Sequence, residues 1–322
     1  MIVNLIKKAI NNNNSFFTSM NYQKTIKETF NFQPFNLTTK NGFLPLFLIK
    51  QKTGNKLISM PFTTETNISY NSEDEKNSLI QAAIKLTKEL DLDYLKIRSK
   101  KDLKINLLKK ENYYHLILKL DKEEIIWNNF NKKLRNAIRK AEKNNLTTDS
   151  GINYFNDFYR LFKKNMRDLG TPVDTKKFFK NLINNFQNKI DIVVTKKEDK
   201  VISAIFLIKD NNRIKSEWAS SDRKYFGLNA AQLTYWHAIK KYCNEFEEFD
   251  FGRSVKDEGT YLFKKKFNAK PEQLYYYYYI NKGTMPNILK TNWKRQLFTK
   301  TWKKLPLIIT DNLGPIIRRQ FP

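Results

Sequence analysis

Cysteine is nearly missing from this 322-residue sequence, where Cys243 stands alone. One thiol excludes an intramolecular disulfide framework and any thiolate-rich zinc site. Histidine is as scarce, with His115 and His237 only, so neither a zinc nor a haem centre is expected and no metal is assigned. Nine glycines and nine prolines exclude collagen-like and linker-dominated architectures. No apolar run approaches the ~20 residues of a membrane span. The start, Met1 to Asn14, has an apolar part too short for a signal peptide and no small-residue cleavage site. A cytoplasmic location is therefore expected. Also missing are a Ser-His-Asp set, a Walker loop and carboxylates paired as in hydrolases.

Acids are short as well: 32 Asp and Glu face 59 Lys and Arg, a net charge of +27. Such a balance invites a polyanionic partner. Composition offers a plainer source, because 48 Lys against 11 Arg, with 37 Asn, is the bias an AT-rich genome imposes on any protein. Dedicated phosphate readers favour the Arg fork. Charge beyond that bias should show as clustering. With 40% hydrophobic and 14% aromatic residues a packed core is accessible, and the length suits two domains.

Hydrophobic periods give an order of elements that repeats. In the first half, runs at Phe43 to Lys50 and Lys56 to Met60 flank a Gly54-Asn55 turn and predict a hairpin. A short strand at Ile68 to Tyr70 follows. Ser72 with Glu75 has the capping-box spacing and opens a helix to Leu90, and strands are expected at Tyr94 to Ile97 and Tyr113 to Leu120. The second half predicts helices at Lys132 to Asn145, Phe155 to Arg167 and Lys176 to Phe186. Strands at Ile190 to Thr195, Val201 to Lys209 and Arg213 to Ala219 come next, then a helix capped by Asn229. Phe249 to Gly252 reads as a strand, Thr260 to Phe267 as a short helix, and Gln273 to Ile280 as a Tyr-rich final strand. This order, present in a shorter form in the first half, is that of the GNAT acyltransferase fold. An α/β architecture of two tandem GNAT-like domains, with a mixed sheet and helices on both faces, is expected. The boundaries fall at residues 1–122 and 123–284, with a basic aromatic tail at 285–322.

The segment Phe249-Asp-Phe-Gly-Arg-Ser254, followed by Gly259-Thr-Tyr-Leu-Phe-Lys-Lys-Lys-Phe267, resembles the FemAB family, in particular its exosortase-associated branch. Leu134 to Lys143 resembles that family's basic helix, and Leu169-Gly-Thr-Pro172 its loop. Gly42 to Leu46, Ile58 to Phe62 and Leu95 to Ser99 match its first domain, and Trp302 to Pro306 and Leu313-Gly-Pro315 its tail. The resemblance implies transfer of an acyl or aminoacyl group to an amine, from acyl-CoA or aminoacyl-tRNA, with no tightly bound cofactor. It further implies that Lys264, the Lys after Phe in the motif, neutralises a phosphate or a developing oxyanion. Gly252, Ser254 and Tyr261 are motif positions taken as substrate-binding.

Other candidates come from chemistry. Asp250 at a strand end and Glu217 on the preceding strand can order an amine or accept its proton, and either can instead pair with Arg253. Arg253 is a candidate substrate clamp. Lys224, Gly227 and Asn229 stand just before a helix, where GNAT enzymes cradle a pyrophosphate on backbone N–H groups. A glycine turn followed by an Asn cap explains the same residues. Arg135 and Arg139 fall on a basic stripe that can meet nucleotide or tRNA phosphates, and a solvated face is the plain alternative. Trp293, Lys294, Arg295, Phe298, Trp302, Lys303 and Lys304 mix cationic and aromatic residues, a pattern suited to an anionic inner membrane face. An acyltransferase acting on a small-molecule or lipid-linked saccharide acceptor is therefore expected, on a cell-envelope or exopolysaccharide precursor. The alternative is a non-catalytic basic module binding nucleic acid or anionic membrane, whose sign would be the lack of an enclosed cleft.

Overall fold

The computed structural model describes residues 2–9, 15–66, 68–284 and 293–322. Its strands are β1 (Asn4–Ile6), β2 (Gln33–Pro34), β3 (Asn36–Thr38), β4 (Phe43–Leu44), β5 (Phe47–Ile49), β6 (Lys56–Ile58) and β7 (Tyr94–Ser99). They continue as β8 (Leu108–Lys119), β9 (Leu146–Ser150), β10 (Ile190–Lys197), β11 (Lys200–Asp210), β12 (Arg213–Ser221), β13 (Glu248–Val255) and β14 (Lys270–Ile280). The helices are α1 (Met20–Phe30), α2 (Glu73–Glu89), α3 (Glu123–Asn129), α4 (Lys132–Lys143) and α5 (Phe155–Leu169). After them come α6 (Lys176–Phe186), α7 (Ala230–Tyr242), α8 (Gly259–Lys265), α9 (Trp293–Trp302) and α10 (Leu307–Arg319).

Eleven strands form one mixed sheet in the order β2-β5-β6-β7-β14-β8-β13-β12-β11-β10-β9, and β1, β3 and β4 form a small second sheet. The fold is therefore mixed α/β, as expected. The two halves share the large sheet, because β14 from the C-terminal half lies between β7 and β8. Strands of period two explain the layers. Ile192, Val194, Ala204, Phe206 and Ile208 pack under α1, α5 and α6, while Val193, Ile205 and Leu207 pack under α4 and α7. Fully burying one such side chain contributes about 1.5–3 kcal/mol, so this double-sided core dominates the stability of the second half.

Local signals were honoured with informative departures. Ser72 Oγ accepts the Glu75 N–H at 3.2 Å, but the Glu75 carboxylate reaches back one residue further than a capping box does, to Asn71 N at 2.7 Å. The expected strand at Ile68 to Tyr70 is reduced to a single bridge between Ser69 and Phe43. Asn229 sits at the start of α7 in the left-handed region (φ 59°), and its side chain caps no helix N–H. A left-handed Asn can turn the chain into a helix, but it cannot also present its side chain as a cap.

The C-terminal helices fold back across both halves. Trp302 is buried, Arg318 pairs with Asp174 at 2.9 Å, and Arg319 donates to the carbonyl of Phe30 at 2.7 Å. Gly314 meets Val173 so closely that a Cβ would lie 2.9 Å from Val173 Cγ1. Gly170, left-handed at φ 75°, ends α5 against Thr299 of α9. Both glycines of the two loop motifs thus mark the seam between tail and body. Tail residues 285–292, and the side chains of Lys294 and Arg295, lie outside the described residues. Among the described residues no helix is long and apolar enough to cross a membrane.

Candidate functional site

The site begins where the sheet comes apart. Strands β12 and β13 pair in parallel for only three residues, ending at Lys215 opposite Asp250. Beyond that point Gly252 adopts φ 74°, with its Cα so near the carbonyl of Ser216 that a Cβ would sit 2.9 Å from the oxygen. A side-chain-bearing residue would be strained there twice, by φ and by contact. The gap opens into a cleft of about 1830 Å³. Ser216, Glu217 and Trp218 of β12 line one wall and Gly252 and Arg253 of β13 the other. The first turn of α7 contributes Ala230, Ala231 and Gln232 to the lining, and free N–H groups at a helix start favour an anion. The N-terminal half contributes Lys56, Thr64, Lys96 and Arg98, and the C-terminal segment closes the far side with Phe298, Ile316 to Arg318 and Gln320 to Pro322. A cleft enclosed by both halves argues against the non-catalytic alternative.

Lys264 projects from α8 to this gap. Its ammonium donates to the carbonyls of Gly252 at 2.9 Å and Arg253 at 3.1 Å. Lys264 is 9% exposed, while its neighbours Lys265 and Lys266 are open to solvent, so the three lysines of the run face different surroundings. Burial pulls the Lys264 pKa down from 10.5 to about 8, against the opposing pull of Asp250 and Glu217. Glu217 faces the same cleft and makes no ion pair among the described residues. Burial raises its carboxyl above the ordinary value, Asp250 and Glu65 add to the rise, and Lys215 and His115 oppose it. A cation ready to lose a proton and a carboxylate ready to take one therefore share one cavity.

Asp250 lies beneath the cleft rather than in its lining. Its carboxylate pairs with His115 Nδ1 at 2.8 Å and accepts the N–H of Gly252 at 2.7 Å. Burial alone would raise its pKa, but His115, Lys215 and Lys100 together hold it far below the ordinary range. The His115 ring is clamped on its other side by Thr64 Oγ1 at 2.9 Å. Glu65, paired with Lys215, completes a buried charged floor spanning both halves. Asp250 is thus placed to fix the turn whose carbonyl holds Lys264.

The remaining candidates divide. Arg253 lies over the Tyr113 ring at 4.5 Å and donates to Tyr276 Oη at 3.0 Å in the cleft. Ser254 and Tyr261 are buried outside the lining, the latter edge-on to Tyr114. Lys224, Gly227 and Asn229 flank the cleft beside Tyr225 and Phe226, with Gly227 exposed and nothing within 4 Å of a Cβ placed there. Arg135 and Arg139 are not brought to the cleft. They lie on α4, Arg139 over the Trp127 ring at 5.5 Å. Sequence reasoning missed Lys96, Arg98, Thr64 and His115. For Lys96 and Arg98 the signal was present, as polar residues alternating with Leu95 and Ile97 on a strand.

Residues 128–265, from α3 through α8, match the family model of a GNAT acetyltransferase domain. The fold is similar to that of FemX, at 13% identity and a TM-score of 0.62 over 80% of this chain and 90% of that one. It is also similar to the C-terminal domain of a putative lysylphosphatidylglycerol synthetase from Agrobacterium fabrum, at 10% identity and a TM-score of 0.57 over 82% and 87% of the two chains. L-PGS from Bacillus licheniformis aligns at 11% identity and a TM-score of 0.54 over 88% and 96%. No curated protein matches the sequence. The chain therefore has a GNAT-type acyltransferase fold, and the matched segment contains Glu217, Asp250, Arg253 and Lys264.

Proposed function

We propose that this protein is a FemAB-like N-acyltransferase, of the exosortase-associated kind, in which the opening between β12 and β13 is the transfer site. The observation that carries this is the presence of the Glu217 carboxylate and the Lys264 ammonium in one cleft, whose lining also includes the first turn of α7. An acyl thioester enters with its pyrophosphate at the α7 start, near Lys224 and Gly227. The acceptor amine attacks the carbonyl carbon and the new N–C bond forms. Glu217 takes the amine proton, and the C–S bond breaks as the thiolate leaves with the electron pair. Lys264 stabilises the oxyanion that forms between these events. No covalent enzyme intermediate is required. Residues 1–122 and 123–284 act as the two functional halves, with 285–322 as the tail.

The broader donor class includes aminoacyl-tRNA, consistent with the resemblance and with the basic surface around Arg135 and Arg139. The acceptor is an amine of a cell-envelope or exopolysaccharide precursor, soluble or lipid-linked. Work at an inner membrane face is supported by Ile309 and Leu313, which are exposed at i and i+4 on α10. The test is release of free thiol from acetyl-CoA with a panel of amino sugars and amino-acid amides. Glu217→Gln should lower the rate about 100-fold, the ordinary range for a positioned base, with substrate binding retained. Thiol release that is independent of any amine, or unchanged in Glu217→Gln, would refute this function.

A further inference from the structure

A second group of cations in the cleft has no role in the transfer step. Strand pairing sets Tyr276 opposite Arg98 and Tyr278 opposite Lys96 on β14 and β7, with Tyr276 also opposite Lys110 on β8. Side chains alternate across a sheet, so Lys96, Arg98, Tyr276 and Tyr278 share the cleft face while Leu95, Ile97, Tyr275, Tyr277 and Tyr279 face the α2 side. Lys96 is 8% exposed and Arg98 4%. The Lys96 ammonium has no carboxylate and no hydrogen-bond acceptor among the described residues. It meets only rings, Tyr276 at 5.1 Å and Tyr278 at 5.7 Å. The charged groups that act on it most strongly, Arg98, Arg253, Lys110 and Lys56, are all cations. Arg98 Nε and Tyr278 Oη are buried without partners among the described residues. Arg98 is fixed by Nη1, which donates to the carbonyls of Ser59 at 2.9 Å and Met60 at 2.6 Å. Lys56 Nζ and Arg98 Nη2 donate to oxygens of Gln320 at 3.1 Å and Pro322 at 3.2 Å, acceptors that an incoming oxyanion can replace.

Buried polar groups are normally satisfied, and a buried ammonium surrounded by cations is costly. We infer that Lys56, Lys96, Arg98 and Arg253, walled by Tyr276 and Tyr278, form an anion subsite that takes a phosphate group of the acceptor. This deepens the transferase reading and rests on it, because it assigns the N-terminal half of the cleft to the acceptor and leaves the α7 end to the donor. The phosphate can belong to a soluble phosphoester or to a lipid headgroup.

The full chain is tested by thermal shift and calorimetric titration with inorganic pyrophosphate at low salt. Co-sedimentation with phosphatidylglycerol vesicles, against phosphatidylcholine vesicles, forms the second arm. Pyrophosphate should stabilise the protein, and Lys96→Met should bind it about tenfold to a hundredfold more weakly, as expected for losing a hydrogen bond to a charged group. Without ligand, Lys96→Met should melt above the parent protein, because the uncompensated buried charge is gone. Lys96→Arg should keep binding. Loss in Lys96→Met of vesicle binding alone assigns the phosphate to a lipid, and loss of pyrophosphate binding to a soluble acceptor. If neither probe binds, if Lys96→Met binds both unchanged, or if it melts lower or fails to fold, the subsite is refuted. The Glu217→Gln thiol assay reads the transfer step separately. Anion binding without thiol release would remove the transferase and leave the subsite, and the reverse would remove only the subsite.

Discussion

Replacing Lys264 by Met keeps most of the length and apolar stem of the side chain and removes its ammonium. Its ammonium is held by the carbonyls of Gly252 and Arg253 in the opening of the sheet. Removing one well-aimed donor typically lowers turnover ~100-fold to 1000-fold, so Lys264→Met should lose that much in amine-dependent thiol release. Lys265→Met and Lys266→Met remove equal charge from exposed positions and should stay close to the parent rate. Burial brings Lys264 from 10.5 to about 8, so the parent rate should decline above pH 8 as the cation is lost. That alkaline limb should vanish in Lys264→Met.

The same shift has a stability consequence with a definite sign. A fall from 10.5 to about 8 corresponds to about 3 kcal/mol between the protonation states. The unfolded chain binds the proton more tightly, so the charged lysine destabilises the fold fully below pH 8. Between pH 8 and 10.5 the folded protein sheds its proton first and the penalty is relieved. Relative to Lys264→Met, the parent protein should gain up to about 3 kcal/mol across that window, read by urea unfolding at several pH values. Equal, small rate losses in all three Lys variants, or a parent pH profile flat from 7 to 10, would refute the role given to Lys264.

Coenzyme A should raise the melting temperature by mass action, and Gly227→Val should abolish that shift without altering the unliganded melting point, since a Cβ at Gly227 meets nothing within 4 Å. A shift retained in Gly227→Val would remove the α7 start from the donor site. His115→Leu leaves the Asp250 carboxylate buried without its ring partner and should cost about 3–5 kcal/mol. Its acid unfolding should also begin at higher pH, because in the parent protein His115 holds the Asp250 carboxyl far below its ordinary 3.8, and the variant loses the stability this gives above that value. Acid unfolding at an unchanged pH would contradict that pairing. A 1–284 truncation should bind anionic vesicles less than the full chain, and equal co-sedimentation of the two would remove the tail from any membrane contact.

Elements held together by local signals were legible in the sequence. Helix α6 has the bounds its Phe and Leu spacing predicts, Lys176–Phe186, and β13 with α8 stands where Phe249 to Phe267 places it. The site was legible where one short segment supplies it, so Gly252, Arg253 and Lys264 come together. It was illegible where long-range pairing decides. Leu95-Lys-Ile-Arg-Ser99 reads as a strand with a wet polar face until Tyr276 and Tyr278, from the far end of the chain, are set across from it. The stripe of Arg135 and Arg139 was plain on α4, but only the packing of α4 on α7 decides that it looks away from the cleft.

The charge of +27 divides along the same line. An exposed lysine such as Lys265 or Lys266 stays hydrated and costs the fold almost nothing, so a biased genome can add many without consequence. A buried cation is different, since desolvation must be offset by a partner or endured. Lys215 is offset by Glu65 and Asp210. Lys264 is only partly offset, by two carbonyls and the more distant Asp250 and Glu217, and Lys96 by tyrosine faces alone. Mutational drift should replace such residues readily, because almost any neutral side chain would stabilise the fold. Their presence at the two ends of one cleft is what ties the basic character of this protein to a ligand. In the proposed transfer, one end answers a charge that forms during the step, and the other a charge the acceptor brings with it.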